Sequence, residues 1–72
     1  MDQNQFLSVA AEILEVDVAD LTLRSDLDEI DWDSLANISF IAEVDSTLGK
    51  TISPEKLNKC EILADIYALI SE

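Results

Sequence analysis

Asp31-Trp32-Asp33-Ser34-Leu35 divides the chain into two kinds of sequence. Upstream, over residues 16–33, Val16, Val18, Leu21, Leu23, Leu27 and Ile30 occur at irregular intervals, with Asp and Ser between them. Residues of that type favour turns and local caps. Downstream, Phe40, Ile41, Val44 and Leu48 recur at helical spacing, with Ile38 at the flank. Asp31 or Asp33 can cap this helix, and either carboxylate suits the positive end of its dipole. Gly49 supplies the residue best suited to the left-handed position that ends a helix, and Lys50 follows near the negative end. The pattern predicts a helix over 34–48 that opens on Ser34, behind a long loop. Loops of that length are usually functional or disordered. The Val and Leu in this one predict that it is pinned onto the core, with a short helical turn near Leu27 to Ile30.

Working outward, Asp2 can cap a first helix, with Gln5 placed as its capping-box partner. Phe6, Val9, Ala10, Ile13 and Leu14 form the stripe of that helix over about 3–15, and Leu7 and Ala11 widen it. Ser53-Pro54 opens a short third helix anchored by Leu57. Asn58, with Glu61 after it, predicts a fourth helix over about 59–71. Its stripe is Ile62, Ile66, Leu69 and Ile70, with Leu63 and Tyr67 at the edges. The expectation is an all-α fold, a small antiparallel four-helix bundle of three main helices and one short one, as a single domain over residues 1–72.

Of the 72 residues, 49% are hydrophobic, with one Gly and one Pro. That is too apolar and too poor in breakers for a disordered acidic tail. Asp and Glu number 16 against four Lys and Arg, a net charge of −12. Asp26, Asp28, Glu29, Asp31, Asp33, Glu43 and Asp45 are the only charged residues between Arg24 and Lys50. Nucleic acid and anionic membrane surfaces are therefore excluded as partners, since both need a basic footprint. The charge either recruits basic patches on other proteins or keeps a small monomer soluble. Self-repulsion predicts that added salt or divalent cations raise stability. A polar N-terminus and the lack of any apolar run near the length of a membrane span predict a cytoplasmic protein.

Catalytic constellations fail on composition. There is no His, which removes Ser–His and Cys–His pairs. Gly49 is the only glycine, which removes Gly-rich phosphate loops. Cys60 is the only cysteine, so there is no internal disulfide; it is expected to be a small core residue. A calcium loop counted from Asp26 would need Gly and Glu where Asp31 and Asn37 stand. No metal site is expected. By position alone, Ser34 is an ordinary first-turn residue, as in an unmodified acidic adaptor that binds a basic protein through the second helix.

A resemblance changes that weighting. Asp33-Ser34-Leu35 at the start of the second helix, after one helix and a long loop, resembles the attachment site of the acyl carrier protein family. The likeness extends over essentially the whole chain. Trp32 to Leu35, followed by Leu57, Cys60 and the Ile62–Ile70 stripe, is most similar to free-standing carriers of specialised pathways. The resemblance implies that Ser34 carries 4′-phosphopantetheine from coenzyme A, installed by a phosphopantetheinyl transferase (holo-carrier synthase) with Mg²⁺. It implies a non-catalytic carrier of acyl thioesters for fatty-acid, polyketide or other specialised pathways. Acyl-activating enzymes, acyltransferases or ketosynthases would be its further partners. An aminoacyl or peptidyl carrier shares the arm and differs in cargo. Asp33 is then the cap and a transferase contact, and Leu35 an apolar docking contact. Ile38, Ala42, Glu43 and Asp45 are expected to extend the docking surface along the second helix. The chain departs from the familiar fatty-acid pattern at Asp31, where glycine is common, and at Ala36 and Ser39, where acidic residues are common. Those departures imply a less electrostatic recognition face. Trp32 is expected to pack under the loop, with a place over the arm as the alternative.

Overall fold

The computed structural model describes residues 1–71. Four α-helices form a small acyl-carrier-like bundle, and no strand occurs among the described residues. They are α1 (Gln3–Leu14), α2 (Ser34–Leu48), α3 (Pro54–Asn58) and α4 (Leu63–Ile70).

Helix α1 starts where Asp2 predicts. The Asp2 carboxylate accepts the Gln5 backbone N–H at 2.7 Å, satisfying a donor that has no partner inside the helix. The buried face is Phe6, Val9, Ala10 and Ala11, while Ile13 and Leu14 are half-buried. Ala11 thus lies closer to the core than the stripe implied. The helix ends on Glu15 at φ 58, with the Glu15 and Val16 N–H groups returning to Glu12 and Ala11 carbonyls at 3.2 and 3.0 Å. A left-handed residue in this hydrogen-bond pattern is normally glycine. Here a β-carbon is strained and a carboxylate sits at the negative end of the dipole. Glu15→Gly is therefore expected to stabilise the protein by about 0.5–1 kcal/mol, read as a higher urea midpoint with an unchanged slope.

The approach to α2 is pinned at fewer points than its apolar residues suggested. Leu21 and Leu27 are buried, and Leu23, Ile30 and Trp32 pack partly against the core. Val16 and Val18 remain 45% and 44% exposed. A 3₁₀ turn over Val18–Asp20 carries Val18. A turn of three residues has no periodicity to announce it. The turn expected near Leu27 to Ile30 is present: Glu29 and Ile30 N–H groups donate to the Asp26 carbonyl at 3.0 and 3.2 Å.

The same loop shortens α4. Leu27 N–H donates to the Glu61 carbonyl (3.0 Å), Leu63 N–H to Ser25 (3.2 Å) and Ala64 N–H to Leu23 (2.7 Å). Those bonds hold residues 61–62 extended against the loop, with Asp26 and Ile62 paired as an isolated bridge. The helix therefore begins at Leu63, not near Lys59, and Asn58 closes α3 instead of capping α4. Asp65 provides the N-terminal satisfaction by accepting the Glu61 and Ile62 N–H groups at 2.9 and 3.2 Å. Starting later rotates the buried stripe to Leu63, Ile66 and Ile70, and leaves Ile62 and Leu69 half-buried.

Phe6, Phe40, Val44, Leu57, Leu63 and Ile66 are the largest fully buried side chains, so all four helices contribute to one core. An aromatic chain runs through it. Phe6 and Phe40 meet edge-to-face at 5.7 Å, Phe6 and Tyr67 lie 5.2 Å apart, and Trp32 meets Phe40 edge-to-face at 5.9 Å. These separations suit the quadrupoles of aromatic rings. Through this chain the residue two before Ser34 is tied to the middle of the fold. Lys50 donates to the Ile70 carbonyl at 3.1 Å, a cation at the negative end of α4.

Candidate functional site

Ser34 is the first residue of α2 and is exposed. What holds it there is the cap before it. Asp33 is extended, its carboxylate accepts the Ala36 N–H at 3.0 Å, and its carbonyl accepts the Asn37 N–H at 3.0 Å. Of the two candidate caps, Asp33 fills the role and Asp31 does not. The N–H groups of Ser34 and Leu35 have no carbonyl one turn back within the helix, so they face outward with the positive end of the dipole. An exposed hydroxyl beside such donors fits a phosphodiester. The exposed carboxylates of Asp31 and Asp33 oppose it locally.

Asp31 has φ 58, the left-handed region that glycine occupies at least cost. Asp tolerates that conformation better than most residues with a side chain. The backbone at Asp31 thus adopts a conformation suited to the glycine usual at this position in the resembling carriers. It reverses the chain between the turn at Leu27 and the start of α2.

Trp32 packs inward under the loop. Its backbone N–H donates to the Leu27 carbonyl at 2.9 Å, and its indole Nε1–H donates to Asn37 Oδ1 at 2.6 Å. Asn37 in turn donates from Nδ2 to Asn58 Oδ1 at 3.3 Å, which links the first turn of α2 to the end of α3. Sequence reasoning did not find Asn37 or Asn58 in this role, because polar partners 21 residues apart leave no periodic signal. Asn37→Ala removes the indole acceptor in a part-buried setting. It is expected to cost about 1–2 kcal/mol. With Trp32 as the only tryptophan, a shift of the native emission spectrum, together with a lower urea midpoint, checks it.

The expected docking residues all reach solvent. Leu35 and Ile38 are 71% and 63% exposed, and Ala42, Glu43 and Asp45 are exposed as well. Ile38 and Ala42 follow Ser34 at successive turns and share its face with Asp45, and Leu35 lies at its edge. Glu43 does not join them. At 3.6 residues per turn it lies on the far side of the axis from Ser34, where its carboxylate accepts from the Thr47 hydroxyl at 3.4 Å.

Cys60 is half-buried, and burial followed by the nearby Asp65 carboxylate pushes its thiol pKa up. A thiol held in that direction is a poor nucleophile. Among the described residues, no three His, Cys, Asp or Glu side chains gather where they could hold a metal ion, and no helix is long and apolar enough to cross a membrane.

Comparison with known proteins matches one family description, the phosphopantetheine attachment site, over residues 4–70. Neither the curated proteins nor the solved structures yielded a match. The matched span takes in all four helices and the capped, exposed serine, and on that extent the chain belongs to the phosphopantetheine attachment family of carrier proteins.

Proposed function

We propose that Ser34 is the residue that carries 4′-phosphopantetheine, and that the protein is a non-catalytic acyl carrier serving a fatty-acid, polyketide or other specialised acyl-transfer pathway. The observation that supports this most directly is an exposed Ser34 at the capped start of α2, within the family span. In this reading the base that takes the serine proton comes from the transferase. When attached, the arm supplies the thiol that holds acyl groups as thioesters. The chain's own part is positional. Asp33 fixes the first turn, Trp32 ties that turn to Phe40, and the outward N–H groups of Ser34 and Leu35 offset the phosphodiester charge.

Leu35, Ile38 and Ala42 form the apolar line along which a transferase, acyl-activating enzyme, acyltransferase or ketosynthase docks, with Asp33 and Asp45 as flanking charges. In this reading the protein acts in the cytoplasm, and its charge keeps it a monomer. The test is incubation with coenzyme A, Mg²⁺ and a broad-specificity phosphopantetheinyl transferase, followed by intact mass and fragment mapping. One phosphopantetheine added to the fragment that contains Ser34 is expected. An unmodified mass, or an adduct on another residue, would sink the assignment.

A further inference from the structure

A cleft runs beside Ser34 on the α1 side of α2, on the opposite flank of Leu35 from Ile38 and Ala42. It holds about 300 Å³ between Ile13, Val16, Ile30 and Leu35, and Ala36 and Ser39 line its α2 side. A second cleft of about 210 Å³ adjoins it, shares Leu14, Val16, Ile30 and Asp31, and reaches Asp20 and Glu29. The two form one trough between the end of α1, the loop and the start of α2.

Three features of the trough bear on what fills it. First, it displays apolar surface in water: Val16 is 45% exposed and Leu35 71%. Clustered apolar exposure of this kind marks an interaction site more often than scattered exposure does. Second, it stays open because Ala36 and Ser39 are short; longer side chains there would occupy it. Third, its charges are all of one sign. Asp20, Glu29, Asp31 and Asp33 line it, and no Lys or Arg does.

That sign selects the occupant. A phosphodiester-bearing arm is repelled by the carboxylates beside its attachment point. A second copy of the chain brings the same −12 charge. We propose that the trough docks a segment of a partner protein that presents one apolar side chain flanked by Lys or Arg. The apolar group enters between Val16, Ile30 and Leu35, and the cations meet Asp20, Glu29, Asp31 and Asp33. Leu35 is common to this trough and to the outer docking line, so an enzyme acting at Ser34 can grip the start of α2 from both sides. The inference rests on the carrier reading for the partner's purpose, and on the trough alone for its chemistry.

The test uses the ¹⁵N-labelled full chain at low salt. It is titrated with the peptide Lys-Arg-Leu-Phe-Arg-Lys and, in parallel, with the same core flanked by Glu. Saturable amide shifts at Val16, Ile30, Leu35 and Ser39 with the basic peptide, and none with the acidic one, are expected. Ser39→Phe fills the trough from an exposed position and is expected to weaken binding about ten-fold. Glu29→Gln with Asp31→Asn keeps shape and turn propensity and is expected to weaken it about three-fold. Shifts that never saturate and spread over the acidic surface would overturn the proposal. So would unchanged binding by Ser39→Phe, provided its spectrum remains folded. Shifts at Val16 and Ile30 on attachment of the arm, without peptide binding, would assign the trough to the arm and overturn it too. Intact mass after transferase treatment is read separately: a missing adduct removes the carrier reading and leaves the peptide result standing.

Discussion

Ser34→Ala is expected to abolish the mass gain from coenzyme A and transferase completely, while the protein keeps its fold. The two halves of that result come from different physics. On the proposed assignment, modification needs the hydroxyl at the capped start of α2, and the other serines are not there. Ser39 stands on the trough side of α2 more than a turn further on, and Ser53 precedes the short α3. Stability is a separate matter, because Ser34 is not the cap. Asp33 makes the capping bond to the Ala36 N–H, and alanine is the best helix former. The substitution should therefore change stability by no more than about 0.5 kcal/mol. Circular dichroism and urea unfolding check the fold, and intact mass checks the chemistry. Asp33→Asn is a useful companion, since Asn caps as well as Asp and removes the charge. Slower modification of that variant at unchanged stability would assign the carboxylate a part in transferase contact. An adduct that persists on Ser34→Ala would remove Ser34 from the proposal.

Phe40→Ala is expected to leave the chain largely unfolded at 25 °C in low salt. Phe40 is fully buried and is the one ring that touches both Phe6 and Trp32. Truncating a core phenylalanine costs about 3–5 kcal/mol. A domain of this length holds roughly 4–11 kcal/mol in total. A thin core and strong self-repulsion place this one toward the lower end. The loss reaches Ser34 by a short route, because Trp32 rests on Phe40 and donates to Asn37 in the first turn of α2. Far-UV circular dichroism and Trp32 emission should collapse together, and salt should recover part of both signals by screening the carboxylates. Native-like helicity with a lost Trp32 signal would mean that the aromatic chain orders the site without supporting the bundle.

The start of α2 was readable because its signals are local. Asp33 as cap, Ser34 as first residue and Gly49 as left-handed stop each act within one turn of the residue that carries them. The apolar spacing of α1 was readable for the same reason, although the weighting of Ala11 against Ile13 and Leu14 depended on where the other helices lie. The start of α4 was not readable. Asn58 and Glu61 look like a cap, and the residues after them have helical spacing. The Leu63 and Ala64 N–H groups nevertheless bond to Ser25 and Leu23, about forty residues back. A capping pattern competes poorly with carbonyls that tertiary folding brings to the same donors.

The three positions that set this chain apart from the familiar fatty-acid pattern, Asp31, Ala36 and Ser39, meet in space, while Trp32 beside them does not join them. Asp31 takes a backbone conformation suited to glycine, and Trp32 turns inward to Phe40. Ala36 and Ser39 line the trough with Asp31. Their identities were visible from the residues alone, but their shared address was not.

By itself, the amino-acid sequence determined that the chain is helical and that α2 begins at Ser34 behind the Asp33 cap. Each rests on composition or on interactions within a few residues. Tertiary structure alone decided that Trp32 is fastened through Asn37 to Asn58, that α4 begins at Leu63, and that Val16, Ile30, Leu35 and Ser39 border one trough. Each of those depends on groups far apart in the chain meeting at hydrogen-bond or van der Waals distance, which only a packed core can bring about.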